Sequence, residues 1–190
     1  MSMRSTLVMG LSLLGSLLLL SGCASTSGGG TNYAANTTVE KKRSVDPMEL
    51  RSYRFPQTRE ANGRNTFIFD PKHLMWGAYD ANGQLVNQGA ASGGKGYCAD
   101  IGRSCRTPSG SYAVYRKGGA GCKSTKYPVG KGGAPMPYCM FFNGGYAVHG
   151  SPHVPGYNAS HGCIRVPPSD AAWLSQNFMS NGTKVIVKSY

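Results

Sequence analysis

The chain has 190 residues, enough for one domain of about 100 to 150 residues with appendages. Its 20 Lys and Arg outnumber its 8 Asp and Glu, and the formal net charge of +12 indicates an anionic partner or a basic surface that only confers solubility or membrane adhesion. No nucleic-acid-binding module is recognisable and the N-terminus is typical of exported proteins, so nucleic acid is excluded as a partner and an anionic polymer of the cell envelope is favoured.

The first 22 residues resemble a bacterial lipoprotein signal. Arg4 precedes the apolar run of residues 7–20, which is followed by Leu20-Ser21-Gly22-Cys23. This run is shorter than the roughly 20 residues that a membrane span needs. The resemblance implies that residues 1–22 are removed and that Cys23 carries the lipid. In a Gram-negative host, Ala24 would then favour anchoring to the outer membrane from the periplasm. The alternative is an ordinary secreted protein with a coincidental cysteine.

Residues 23–62 are predicted to be a lipidated flexible tether and arm. The segment 25–38 is rich in Ser, Thr, Gly and Asn and has too few apolar residues to fold alone. About 40 residues of such a chain reach roughly 35 Å, enough to hold a domain away from a membrane. Residues 51–65 include Tyr53 and Phe55 and are expected to lay an extended arm on the domain.

Short runs of β-forming residues begin at Thr66 and recur to the C-terminus. Asn82-Gly83 is typical of a hairpin turn, and Asn143-Gly144 is a second turn of this kind. The 27 glycines and 11 prolines suit a chain with many turns. We expect an antiparallel meander whose strands include residues 67–69, 74–79, 84–87, 112–115, 140–142, 146–148 and 185–187.

One helix is predicted over residues 170–178, with Ser169 as its N-cap. Leu174 and Phe178 lie four residues apart and would share one face of that helix. Many short strands with a single helix indicate a mainly β domain, a two-sheet β-sandwich or a partly open barrel with one short C-terminal helix. This domain is predicted to cover residues 63–190.

The segment from Tyr146 to Val166 contains the candidate for chemistry. Cys163 follows a Ser-His-Gly turn, and a thiol attacks a carbonyl as its thiolate, which needs a base or a cation nearby. His149 is the predicted partner, and Gly150 allows a turn whose carbonyl could orient the imidazole. Two histidines and a cysteine in one Gly/Pro-rich loop would also be compatible with a satisfied loop cluster or a zinc site.

Two motifs resemble one known family. His149-Gly150, followed by Ser160-His161-Gly162-Cys163-Ile164-Arg165, resembles the signature of the L,D-transpeptidase (YkuD-type) catalytic domain. Arg106-Thr107-Pro108-Ser109-Gly110-Ser111-Tyr112 resembles an upstream segment of the same family. From about Arg51 onward the sequence is most similar to enhanced-entry (EnhA-like) bacterial lipoproteins. The resemblance implies an L,D-transpeptidase-like β-sandwich.

The resemblance also implies a reaction on peptidoglycan stem peptides. Cys163 would attack the meso-diaminopimelate carbonyl of a tetrapeptide stem, release D-Ala and pass the acyl group from a thioester to an amine. His149 would balance the thiolate and protonate the leaving amine. Gly162 and His161 are expected to contribute to the oxyanion site, with Gly150 orienting His149. The alternatives are an L,D-carboxypeptidase or endopeptidase that uses water, and a non-catalytic peptidoglycan-binding lipoprotein.

Arg165 and Ser160 are the predicted substrate-binding residues. Arg165 would grip a stem carboxylate through its guanidinium, or it would form a structural bridge to Asp170. A Gly/Pro-rich stretch is expected to be either a basic lid over the cleft or a solvated loop, and its lysines are Lys117, Lys123, Lys126 and Lys131. His153 is expected to be a rim residue without a catalytic role. We predict no cofactor, no metal and a monomer.

Six cysteines complete the assignment. With Cys23 assigned to lipid and Cys163 to chemistry, four remain in an oxidising compartment, and four cysteines allow three pairings. The pairing of nearest neighbours joins Cys98 to Cys105 and Cys122 to Cys139. A zinc site is the alternative, although none of the four stands in a Cys-x-x-Cys pair.

Overall fold

The structure, a computed structural model, describes residues 52–190. The predicted signal, Cys23 and the tether lie outside these residues. The described strands are β1 (Thr66–Asp70), β2 (Met75–Tyr79), β3 (Leu85–Ala90), β4 (Gly110–Ala113), β5 (Arg116–Lys117), β6 (Met140–Asn143), β7 (Tyr146–Gly150), β8 (Ile164–Val166) and β9 (Lys184–Val187). They form a five-stranded sheet in the order β3-β2-β1-β9-β4 and a four-stranded sheet in the order β5-β6-β7-β8. Within residues 52–190, no helix is long and apolar enough to cross a bilayer.

The main core lies between the two sheets. Alternate residues of each strand face inward, so the first sheet contributes Phe67, Phe69, Trp76, Val185 and Val187, and the second contributes Met140, Phe142, Val148, Ile164 and Val166. A helix covers one end of this core with Ala171, Leu174 and Phe178. The structure therefore confirms a mainly β domain of two packed sheets with one short C-terminal helix.

The arm expected before the domain lies on the outer face of the first sheet. Phe55 is only 3% exposed, and a Cβ on Gly77 would come within 2.8 Å of its ring. Tyr79 donates a hydrogen bond from its hydroxyl to the Pro56 carbonyl at 2.8 Å. All five residues of β1 are buried because the core covers one face and the arm covers the other, where Ile68 lies.

The strand pairing departs from a simple antiparallel meander. Strands β1, β2 and β3 do form one, but β9 pairs parallel to β1 and β8 pairs parallel to β7. The predicted strand over residues 112–115 is divided, because the chain leaves the first sheet after Ala113 and joins the second sheet at Arg116. Val114 crosses between the sheets with its side chain buried.

The C-terminal helix begins earlier than predicted. Helix α1 spans Pro168–Trp173 and continues as a π-helical segment over Leu174–Phe178. Pro167 occupies the N-cap position, so the prediction of Ser169 as N-cap is wrong. The reason is that Pro168 fits the first helical position, where its fixed φ is suitable and its missing N–H would have no partner.

We predict that Phe55→Ala lowers the free energy of unfolding by about 3 kcal/mol, since it empties the contact between the arm and Gly77. Chemical denaturation of the full chain measures this change. Gln57→Ala is the control, because Gln57 is exposed and contributes its backbone carbonyl to the sheet. A loss for Phe55→Ala no larger than that of the control would contradict the packing of the arm.

Candidate active site

The two faces of the second sheet have different environments. Val148 and Ile164 are paired across β7 and β8 and point into the core, so their neighbours point away from it. On that opposite face, Cys163, Ala147 and Phe141 belong to a second apolar cluster. His149 is paired with Arg165 one step further along the same strands. The sheet therefore places Cys163, His149 and Arg165 on one surface.

His149 is buried at the end of β7 and is only 5% exposed. Its Nδ1 lies 2.9 Å from the Gly150 carbonyl, the orienting contact expected from the sequence. A carbonyl can only accept, so Nδ1 carries the proton and Nε2 is left as the basic nitrogen. Burial lowers the pKa of His149 from 6.5 to about 4, although the Gly150 contact opposes this. The imidazole is therefore neutral at neutral pH.

Cys163 lies in the turn that precedes β8, with its sulfur 3.8 Å from the Gly145 carbonyl. Burial raises the pKa of the Cys163 thiol above its ordinary value, and a hydrogen bond from the Ala147 backbone opposes this only in part. The sequence predicts a Cys163 thiolate that is balanced by His149. The structure instead favours a neutral thiol and a neutral imidazole, because both groups lose hydration.

The turn before Cys163 is held by Ser160 and Thr107. The Ser160 hydroxyl donates to the Cys163 carbonyl at 2.5 Å and accepts the N–H of Gly162 at 3.0 Å. Thr107 Oγ1 donates to the Gly162 carbonyl at 2.8 Å and accepts the Gly94 N–H at 3.0 Å. These bonds give Ser160 a structural part in the turn, which differs from the substrate-binding role predicted for it. The Gly162 N–H, which was expected to donate to the oxyanion, donates to the Ser160 hydroxyl instead.

Gly162 is required by the packing of Tyr146. Its φ is +125°, and a Cβ there would lie 2.4 Å from the Tyr146 ring. The nearest obstacle to a side chain at this position is therefore the Tyr146 ring of the protein itself. Glycine both adopts this backbone conformation and leaves room for the ring.

His161 links the turn to two neighbouring loops. Its Nε2 lies 2.7 Å from Oδ2 of Asp100, and this hydrogen bond lowers the pKa of Asp100. Its ring lies 4.6 Å from that of Tyr127. The imidazole is therefore a positioning group in this structure, and the backbone of His161 is the part that remains available to an oxyanion.

Both predicted disulfides are present. Cys98 pairs with Cys105 around the loop that carries Asp100, and Cys122 pairs with Cys139 across the base of residues 118–139, which we call the cavity loop. Cys163 is a free cysteine among the described residues. Asp100, His161 and Cys98 lie close together, but the Cys98 sulfur is bonded to Cys105 and is not a thiolate ligand.

Cys163 and His149 line one cavity of about 570 Å³. Its walls come from the second sheet, the cavity loop and the loop closed by Cys98 and Cys105. The cavity is strongly basic, because its described lining includes no acidic side chain and five cationic residues, namely Arg103, Arg116, Lys123, Lys126 and Arg165. Such a wall favours a ligand with carboxylates.

The structure bears on the alternatives left open for the cationic side chains. Within residues 52–190, the ion pairs involve Asp70 and Asp100, and Arg165 is in none of them. Asp170 instead accepts a hydrogen bond from the Trp76 indole at 3.3 Å. Of the four lysines expected in either a basic lid or a solvated loop, Lys123 and Lys126 line the cavity and Lys131 does not. Lys117 lies in β5 and donates to the Ser175 carbonyl.

The catalytic-domain model of the YkuD family, described as L,D-transpeptidase, matches residues 64–187, which is more than half of the chain. The chain belongs to this family. Members of the L,D-transpeptidase family are cysteine enzymes. The match contains the two described sheets, the cavity and both disulfides of this L,D-transpeptidase domain.

Solved L,D-transpeptidases share the fold. That of Xylanimonas cellulosilytica is 32% identical over 75% of this chain and 70% of its own, with a TM-score of 0.59. That of Stackebrandtia nassauensis is 23% identical, with coverages of 74% and 62% and a TM-score of 0.58. L,D-transpeptidase 3 of Mycobacterium tuberculosis, solved with a faropenem-derived adduct, is 21% identical, with coverages of 66% and 60% and a TM-score of 0.53. The chain spans less than two thirds of the length of the last two. A comparison with curated proteins finds no match.

The neutral state of His149 predicts a specific acid sensitivity of the L,D-transpeptidase domain. The folded-state pKa of about 4 lies below the unfolded value of 6.5, so the unfolded chain binds more protons between these values. Stability from His149 is therefore present above pH 6.5 and is lost as the pH falls towards 4. The shift corresponds to about 3 kcal/mol.

We test this with His149→Gln, which cannot titrate. The difference in unfolding free energy between wild type and His149→Gln should shrink by about 3 kcal/mol from pH 7 to pH 4. Chemical denaturation at a series of pH values measures it. His153→Gln is the matched control, because His153 is exposed, and it should follow wild type. A difference that does not change with pH would contradict the buried neutral imidazole.

Proposed function

We propose that this protein is a peptidoglycan L,D-transpeptidase in which Cys163 is the nucleophile and His149 is the general base. The observation that carries the proposal is the placement of both residues in one cavity, on one face of β7 and β8, inside the family match. The acyl donor is a tetrapeptide stem. The carbonyl attacked is that of meso-diaminopimelate, and D-Ala is the leaving group.

Acylation begins from the neutral pair. His149 Nε2 accepts the thiol proton as the Cys163 sulfur bonds to the carbonyl carbon, so charge develops only when the substrate is bound. The Cys163 N–H stabilises the oxyanion, with the backbone of His161 as a second donor. Collapse of the intermediate breaks the bond to D-Ala, and the imidazolium gives its proton to the departing amine. A thioester and neutral His149 remain.

Deacylation reverses these roles. An amine of a second stem attacks the thioester carbonyl, His149 accepts the amine proton, and the new amide forms as the proton returns to the Cys163 sulfur. Water in place of the amine would give hydrolysis, which is the carboxypeptidase or endopeptidase alternative. No cofactor is needed, because each step is a proton transfer or an acyl transfer.

Arg165 is the proposed contact for a carboxylate of the donor. It lines the cavity beside the catalytic pair, and its guanidinium has no acidic partner within residues 52–190. A planar guanidinium can hold a carboxylate through two parallel hydrogen bonds. The basic wall as a whole supports a peptide that carries several carboxylates.

The proposal also includes a location. The Leu-Ser-Gly-Cys sequence supports lipidation of Cys23, and Ala24 supports anchoring to the outer membrane, with residues 23–62 presenting the domain to peptidoglycan in the periplasm. The sequence from Arg51 onward supports placement in the enhanced-entry (EnhA-like) subgroup. We propose that the protein acts as a monomer and has no nucleic-acid partner.

The test is incubation of the full chain with purified tetrapeptide stems, followed by mass spectrometry of the products. Wild type should release D-Ala and form crosslinked dimers, whereas Cys163→Ala should form none because the thioester cannot form. His149→Ala should be slowed by about 100-fold or more. His153→Ala is the matched control and should retain wild-type activity.

The products also separate the alternatives. If tripeptides form without crosslinked dimers, the reaction is hydrolysis rather than transpeptidation. Stems that remain intact with wild-type protein would support the non-catalytic binding lipoprotein, and product formation by Cys163→Ala would contradict the assigned nucleophile.

A further inference from the structure

We infer that Arg116 is a specificity-determining residue that binds a carboxylate of the acyl donor at a distance from the scissile bond. This inference rests on the proposed function and adds a second anionic contact to it. Arg116 lies on β5, the edge strand of the second sheet that is farthest from Cys163, and it lines the cavity.

The register of the sheet aligns Arg116 with the nucleophile. Arg116 is opposite Phe141, and Phe141 is opposite Ala147. Because Val148 is level with Ile164 on the parallel strand β8, Ala147 is level with Cys163. One row of residues therefore crosses the sheet from Arg116 to Cys163. At about 4.8 Å between neighbouring strands, the row is roughly 14 Å long.

Arg116 is exposed, and its guanidinium lies over the face of the sheet. Its central carbon lies 4.0 Å from the centre of the Phe141 ring, within the range of a cation–π contact. This contact places the charge above β6. Strand β6 is two strand spacings from β8, so the charge lies roughly 10 Å from the nucleophile. An extended peptide covers this distance in about three residues.

The guanidinium is also available to a ligand. Within residues 52–190, Asp70 and Asp100 are the acidic members of the ion pairs, and neither lines the cavity. Contact with the Phe141 face leaves the N–H groups at the guanidinium edge, where a carboxylate binds. The distance suits an acidic group two to three residue lengths from the attacked carbonyl, and the inference assigns this group to the acyl donor.

A purely structural role for Arg116 would be to shield Phe141 from water. The two roles differ in their dependence on the ligand, because shielding cannot distinguish a carboxylate from its amide. The test therefore uses two synthetic tetrapeptide donors that differ only at one acidic group, which lies two to three residue lengths from the attacked carbonyl. One donor carries the free carboxylate there, and the other carries the neutral amide.

Steady-state kinetics of the full chain compare wild type with Arg116→Gln and Arg116→Lys. For the free-acid donor, Arg116→Gln should lower kcat/KM by about tenfold, mainly through KM, which is typical of one partly exposed charge-assisted contact. Arg116→Lys should recover part of the loss. For the amide donor, the three proteins should agree within about twofold. Arg64→Gln removes the same charge from an exposed position outside the cavity and should leave both donors unaffected.

Binding measurements separate this inference from the proposed function. Isothermal titration in a Cys163→Ala background gives the Kd of each donor without turnover. If the Cys163→Ala protein binds the free-acid donor more tightly and the added Arg116→Gln change removes this preference, the inference is supported even when wild type is inactive. The inference would be overturned if Arg116→Gln weakened the binding of both donors equally or left the preference for the free acid unchanged. It would also be overturned if neither donor bound. Turnover with an unchanged preference would overturn it while leaving the proposed function standing.

Discussion

The parallel pairing of β7 with β8 is the constraint on which the site depends. It places Val148 level with Ile164 in the core, so the alternate residues His149, Cys163 and Arg165 must share the opposite face. A shift of one residue in either strand would exchange these two sets. The buried side chains of the core thus fix the position of the candidate site residues, and burial of Val148 and Ile164 stabilises the geometry of the candidate site as well as the fold.

The same packing sets the charge state of the site. His149 is buried against the end of β7 and bonded to Gly150, which leaves it neutral, and burial also keeps Cys163 protonated at rest. Storing a thiolate and an imidazolium in this environment would cost desolvation energy. A neutral pair avoids that cost. In the proposed mechanism, the proton moves only when a carbonyl and its oxyanion donors are in place. In the proposed mechanism, the surrounding cations would bind carboxylates of the substrate without ionising Cys163 in advance.

Much of this organisation is visible in the sequence, and the missing parts have physical reasons. The motif around Cys163 and the nearest-neighbour cysteine pairing are local, so they could be read directly. Strand β8 was missed because three residues between a turn and two prolines give no periodic signal. Asp100, Thr107 and Arg116 were not assigned to the site because their contacts span many residues of chain and depend on sheet register. The raised pKa of Cys163 likewise follows from three-dimensional burial.

The most direct test of the neutral resting pair is the pH dependence of Cys163 alkylation by iodoacetamide in the absence of substrate. The account predicts a slow rate at neutral pH that rises only above the ordinary range of a cysteine thiol, as for a group whose pKa is raised by burial. Mass spectrometry of the alkylated peptide identifies the site, and Cys163→Ala provides the blank. A fast rate that stays constant through neutral and mildly acidic pH, and that His149→Gln abolishes, would show a preformed ion pair and contradict the account.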